Sequence, residues 1–355
     1  MNAVKKRDLI LSLILAAVVV VLLIYVDRNM HYSMLASVIQ KAAIYSLLAV
    51  SLNLLNGFTG LFSLGQAGFM LIGAYTYAIL TIPVAQRANV YQYFNGGALH
   101  FTLPAFAGII LAGVVAACFA WLVGKPCLRL KSDYLAIATL GFAEIIRALI
   151  QWEVLGPITN ASNILKRFPT YDSILTPVLI SAFCIGLIVL LINSSYGRAF
   201  KAIREDEIAA EAMGINLARH KMISFTVSSF FAGVAGAMMA MVLSIAQASN
   251  FKSAMTYEIL LMVVLGGIGS TSGSVIGSFL FVAASEWWLR GLDSGTFLGI
   301  NAPNIFRNGF RLVVFSVIIM IVVLFFRQGI MGERELTDVW LNRRRARQKK
   351  KEAGK

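Results

Sequence analysis

Long apolar runs separated by short polar clusters dominate the chain, and about ten of them approach the roughly 20 residues a helical bilayer crossing needs. They run approximately Leu9 to Val26, Leu35 to Leu55, Leu61 to Ile82, Leu103 to Val123 and Tyr134 to Trp152. The second half adds Ile174 to Ile192, Met222 to Ala246, Ile259 to Ile268, Val275 to Leu289 and Leu312 to Phe326. Lys5, Lys6 and Arg7 precede the first run, as in a signal peptide, but Asp27, Arg28, Asn29 and Met30 follow it, with no small-residue cleavage site. It therefore reads as a retained helix.

Two places break the pattern. Asn53-Leu-Leu-Asn-Gly-Phe-Thr-Gly60 and Gly266-Gly-Ile-Gly-Ser-Thr-Ser-Gly273 both set glycine between apolar halves, and Ile259 to Ile268 is too short to cross alone. Backbone leaves the helix at membrane depth only where protein or a water-filled cavity satisfies its polar groups. Each place is thus a candidate for a broken or re-entrant helix pair. The expected fold class is an all-α membrane protein, a polytopic bundle of about ten transmembrane helices.

Composition supports that solvent assignment. Of 355 residues, 58% are apolar and 14% charged, against about 25% charged in soluble domains. The 31 Lys and Arg outnumber the 17 Asp and Glu, and the excess sits at the chain ends and between apolar runs. It therefore reports membrane topology rather than nucleic-acid binding. With a cytoplasmic N-terminus and one crossing per run, Lys125, Arg129, Lys131, the cations from Arg198 to Lys221 and the tail residues Arg343 to Lys351 all fall inside. Positive-inside counting thus predicts both termini in the cytoplasm.

Several chemistries are excluded. Cys118, Cys127 and Cys184 have no metal-ligand spacing, and Cys118 and Cys184 lie inside apolar runs as small buried residues would. His31, His100 and His220 are far apart, and on this topology do not share a side. There is no G-x-x-x-x-G-K-[ST] loop, so any ATP is bound by another polypeptide. No nucleophile–base pair supports an intramembrane enzyme.

The candidate pathway residues lie inside the runs. In Gly141-Phe-Ala-Glu-Ile-Ile-Arg147, Glu144 and Arg147 share a helix face and can pair. Intramembrane charges face a bundle interior or a pathway, so the pair either locks two helices or lines the translocation route. Proton relay is the weaker use, because the guanidinium keeps the carboxylate charged. Ser63 and Gln66 could offer hydrogen bonds to a polar solute. Gly68 and Gly73 suit close helix approach, and Gly266 and Gly267 belong to a similar glycine-rich segment.

The longest predicted cytoplasmic connection is Gly197 to Lys221. Phe200, Ile203, Ile208, Ala212 and Ile215 recur there at roughly helical spacing among charges, and Gly214 can stop one short helix before the next. It is either a solvated connector or a handle for a motor subunit.

Four stretches together resemble the LivM-type permeases of bacterial branched-chain amino acid ABC importers. They are Asn53 to Leu80, Leu128 to Arg147, Gly197 to Lys221 and Met262-Val-Val-Leu-Gly-Gly-Ile-Gly-Ser270. The most specific is Arg204-Glu-Asp-Glu-Ile-Ala-Ala-Glu-Ala-Met-Gly214, which is similar to the ATPase-docking loop of ABC importers. Ala209, Ala210 and Gly214 fit the general Glu-Ala-Ala-x-x-x-Gly pattern, but Ile208 occupies the Glu position, Glu207 lies one earlier, and no Ile-x-Leu-Pro follows.

The resemblance implies a coupling role for Arg204, Glu207, Ala209, Ala210, Glu211 and Gly214. It also implies a multi-pass subunit of the bacterial inner membrane that binds no cofactor and performs no covalent chemistry. Its implied partners are a second homologous permease, two cytoplasmic ABC ATPase subunits that use ATP, and an extracytoplasmic solute-binding protein. Leu, Ile and Val are the implied cargo; urea or short-chain amides, or a proton-coupled secondary transporter, are the alternatives. The expected organisation is an N-terminus and first span over 1–34, a permease core over 35–330 containing the coupling segment 197–221, and a basic tail over 331–355.

Overall fold

The computed structural model describes residues 34–94, 96–130, 132–171 and 173–288, with residues 27 and 28 and scattered positions between 296 and 335. The expected first span and most of the basic tail lie outside the described residues. So do His31 and all but four positions of the run Leu312 to Phe326. Among the described residues the regular structure is helical, apart from a two-residue antiparallel pair, Thr296–Phe297 with Ile300–Asn301.

Among the described residues, five helices are long and apolar enough to cross a membrane. The first, α1 (Met34–Asn53), runs on through a π-helical turn to Phe58. α2 (Gln66–Thr81) and α3 (Val84–Val90) follow, and then α4 (Ala105–Cys127) and α5 (Ser132–Gln151). α6 (Leu175–Asn193) leads into the short pair α7 (Ser195–Glu205) and α8 (Glu207–Ala212). α9 (Leu217–Leu243), α10 (Ser253–Gly266) and α11 (Thr271–Ala283) follow.

α9 is the central helix, packed against α4, α2 and α1, while α11 lies against α1 and α10. Small residues permit this closeness. A Cβ on Gly73 would strike the Gly233 carbonyl, and one on Gly68 would sit 2.8 Å from Ala143 Cα. In lipid, where apolar side chains gain little by leaving the solvent, such backbone approach supplies the contacts that hold helices together. α4, α5 and α6 turn Ile110, Leu122, Ile145, Phe183 and Leu190 outward, as lipid-facing helices do.

Both glycine-broken places are real interruptions. Residues 59–65 are non-helical although mostly buried, with Gly60 at φ +76°. Their amides are satisfied by protein: Leu61 N donates to Leu55 O at 3.1 Å, Ser63 N to Asn56 Oδ1 at 3.2 Å, and Leu64 N to Thr139 Oγ1 at 3.0 Å. This is the condition under which unwound backbone survives at membrane depth. α10 and α11, of 14 and 13 residues, each extend about 20 Å, short of a hydrocarbon core of roughly 30 Å. They form a tight antiparallel hairpin in which Gly266 and Gly273 touch.

One cysteine departs from expectation. Cys184 is buried, but Cys118 is exposed, on a flank of α4 that also presents Phe119, Trp121 and Leu122.

Candidate functional site

The polar connection between α6 and α9 is two helices, not one. Asp206 divides them: its Oδ1 accepts from Ile208 N at 2.8 Å and Ala209 N at 3.1 Å, an N-cap that starts α8. Gly214, at φ +85°, turns the chain after Met213, and Asn216 Oδ1 accepts from Arg219 N at 3.0 Å to start α9. The apolar positions that recur at roughly helical spacing therefore part company. Phe200 and Ile203 are buried against the bundle, whereas Ile208 is 82% and Met213 84% exposed at the tip. The cap resets the helical phase at Asp206, so spacing counted across it carries no face.

The coupling candidates divide accordingly. Ala209 and Glu211 are exposed on α8 and Ala210 is buried beneath them, while a Cβ on Gly214 would meet nothing within 4 Å. Glu207 pairs with Lys221 at 2.6 Å, joining α8 to the N-terminal part of α9. Arg204 points the other way. Its Nη1 donates to Gly57 O at 2.9 Å and lies beside Gly269. Lys201 adds a second cation from α7, 5.6 Å above the Phe58 ring, within cation–π range.

Arg204 thus touches both helix breaks at once, and Asn53 binds the two breaks to each other. Asn53 Oδ1 accepts from Gly269 N at 2.9 Å, while its Nδ2 donates to Ser270 O at 2.9 Å and Ser274 Oγ at 2.8 Å. Gly267 lies against Gly332, and Ile330 N and Met331 N donate to Leu265 O and Gly266 O. Glu335 closes the assembly, its carboxylate accepting from the amides and hydroxyls of Thr271 and Ser272 at 2.6–3.1 Å. Burial works to raise its pKa, but these four hydrogen bonds prevail and hold the carboxyl below the usual glutamate range. Gly266 and Gly267 therefore belong with the coupling segment in space.

The other pathway candidates occupy two further places. Ser63 is buried and its Oγ accepts from Gly65 N, while Gln66 Nε2 donates to Ser51 Oγ at 2.7 Å. Ser51 in turn accepts on its carbonyl from Ser228 Oγ at 2.6 Å, so Gln66 ties α2 to α1 and Ser51 ties α1 to α9. Gly68 sits in the same region against α5. Glu144 and Arg147 pair on α5 with a 2.8 Å bond from Arg147 Nε, and Ser253 at the start of α10 also donates to Glu144. Reasoning from sequence passed over Asn53, Glu335, and the pair Lys41 and Glu286, which meet at 2.9 Å. For the pair a signal existed, since each is ionisable within or beside an apolar run.

Apolar outward-facing helices, buried unwound backbone and a charged arm that grips both helix breaks define a multi-pass helical membrane protein with a discontinuous core. The chain belongs to the family described as "Branched-chain amino acid transport system / permease component", which matches residues 34–326. It is 33% identical over 275 residues to the high-affinity branched-chain amino acid transport system permease protein LivM of Salmonella typhimurium, covering 68% of this chain and 61% of that protein. The LivM of Escherichia coli K12 matches to the same extent. The probable LivH of Methanocaldococcus jannaschii is 24% identical over 306 residues, covering 81% of this chain and 89% of that one. This chain spans about three fifths of the length of the LivM relatives it matches. No solved structure matches it.

Proposed function

We propose that this chain is a permease subunit of an ATP-driven importer that moves Leu, Ile and Val across the inner membrane into the cytoplasm, with both termini inside. Its family and the names of its LivM and LivH relatives support the cargo and a pairing with a homologous permease. Two ATPase subunits inside and a solute-binding protein outside complete the assembly. ATP is bound and hydrolysed by the partners, and this chain performs no covalent chemistry. The core over 35–330 carries the pathway, and the basic tail over 331–355 stays with the cytoplasmic face.

The observation that carries this reading is the two-ended coupling segment. One end presents Ile208 and Met213 bare to the surroundings; the other puts Arg204 on Gly57 O. An exposed apolar tip on a polar loop suits burial in a partner's cleft. α7 and α8, bound through Asp206 and braced by Glu207–Lys221, move as a unit when that partner moves. Arg204 and Lys201 then carry the displacement to the inner end of α1, and Asn53 passes it to the α10–α11 turn. Two discrete arrangements of these broken helices would be the outward- and inward-open states.

Replacing Glu207 and Glu211 together with Lys, or Gly214 with Pro, is expected to abolish co-purification with the ATPases while membrane insertion persists. Normal uptake of labelled leucine by either variant would show that the loop is only a connector. Uptake by wild-type vesicles that survives ATP depletion but collapses with a proton ionophore would overturn the importer reading itself.

A further inference from the structure

A cleft of about 460 Å³ opens at the end of the bundle remote from the coupling segment. α9 begins just after α8, runs about 40 Å and ends at Leu243, and Ile245 and Gln247 beyond it line the cleft. On the proposed topology this end faces outward. Three connections meet here. Leu165 and Ala246 pair backbone to backbone at 3.0 and 2.9 Å, joining the loop before α6 to the loop after α9. Strand alternation then turns Ile164, Lys166, Ile245 and Gln247 to the cleft and buries Leu165 and Ala246 behind them. The end of α3 supplies a further wall. Arg87 anchors that helix from within, its buried guanidinium donating to the carbonyls of Ile79, Ile82, Leu99 and Phe101.

Five of the lining side chains are carboxamides, Asn89, Gln92, Asn160, Asn163 and Gln247, and Lys166 is the single charge among the described lining residues. Asn160 is 1% exposed. Its Nδ2 donates to Val90 O at 3.2 Å and Ile164 O at 3.3 Å, but its Oδ1 has no partner among the described residues. A buried acceptor left unpaired is costly, and a donor from outside the chain would relieve it. The backbone of the same two loops is strained. Asn160, Ala161, Arg167 and Ser244, at φ +61°, +51°, +66° and +58°, are all the non-glycine residues in the left-handed region among the described residues. Such strain clusters where function holds a loop in shape.

We propose that this cleft receives a surface loop of the extracytoplasmic solute-binding protein and recognises it through the peptide groups of that loop. The inference rests on the importer reading and deepens it by locating that partner. A carboxamide carries the donor and the acceptor of a peptide group, so five of them suit a protein main chain whatever its side chains. The same lining argues against other occupants. Without a carboxylate it offers little to a cation, and one lysine is little for an anion. A lipid chain or an aliphatic solute would leave the amides unpaired. Contact here also reaches the transport helices, because the walls are tied to the ends of α2 and α9. α9 then leads from the cleft back to the coupling segment.

The test introduces the photoreactive residue p-benzoylphenylalanine at Gln92, at Asn163 or, as a lipid-facing control, at Phe183, in cells making the complete importer. Adducts from Gln92 and Asn163 are expected on a surface loop of an extracytoplasmic protein that binds leucine, with none from Phe183. That protein, purified, should bind the importer in nanodiscs with an affinity nearly independent of salt, since uncharged contacts are not screened. The double variant Gln92→Leu/Asn163→Leu, checked for assembly with its companion subunits, should bind it about tenfold more weakly, as loss of two uncharged hydrogen bonds would. No adduct, or adducts only to a glycan, to this chain's own segments or to a protein that binds no leucine, overturns the proposal. Unchanged affinity in the double variant or a strong salt dependence does the same. ATP-driven leucine uptake by the wild-type assembly separates the two readings. Uptake with undiminished docking in the variant removes this site alone, whereas absence of uptake removes the importer reading.

Discussion

Asn53 holds together parts of the chain more than 200 residues apart, and does so with one amide group. It is fully buried, and all three of its bonds run to the turn that opens α11. Asn53→Ala would leave the Gly269 amide without its acceptor in a site that water does not reach. A buried donor left unmade costs about 1–3 kcal/mol, so the purified variant should melt at a clearly lower temperature than the parent. An unchanged melting curve would mean that the turn holds itself. Nothing in the local pattern marks Asn53 for this role. It sits in an apolar run beside glycine, which announces a broken helix, but its partners are fixed only when α11 arrives against α1.

Between elements, the strongest constraint is contact between backbones. α2 and α9 approach so closely at Gly73 and Gly233 that no side chain fits between them. Gly73→Ala should therefore lower the yield of folded protein sharply, as measured by size-exclusion of detergent extracts. A Cβ on Gly141 or Gly186, also in helix interiors, would meet nothing beyond its own helix within 4 Å. Alanine at either should be neutral or gain about 0.5–1 kcal/mol through helix propensity, read as a small rise in melting temperature. Packing is what separates them from Gly73. The same holds for α7 and α8, where Gly214 was legible as a stop but the earlier break at Asp206, whose cap resets the helical phase, was not. Gln66 likewise reads as a group available to a solute, and its bond to Ser51 spends it on holding α1.

At the scale of the molecule, Glu335 ties the segment after the last apolar run to the hairpin that Arg204 touches. Its carboxyl is held below the ordinary glutamate value of 4.5. A depressed folded-state pKa means that the clamp's contribution is complete at neutral pH and is lost only as pH falls through the lowered value. Hydrogen exchange at the Thr271 and Ser272 amides should stay protected from neutral pH down past the usual glutamate range, then rise. Glu335→Gln should expose them at every pH. Exchange rising already within the ordinary glutamate range would remove the clamp.

By itself the sequence determined what can be decided by solvent and by local backbone chemistry. Runs of apolar residues with little charge have no favourable place but lipid, and glycine clusters within them must interrupt the helix; both follow from neighbours in the chain. The tertiary structure decided the rest: which of several similar glycines are crowded, which polar side chains are already satisfied, and that the arm at Arg204 reaches the two breaks bound by Asn53. Each of these depends on a partner distant in sequence, and hydrogen bonds and close contacts act over a few ångströms of space rather than along the chain. Until the helices pack, Gln66 and Gln247 carry the same promise; only packing leaves one bonded within the bundle and the other lining a cleft.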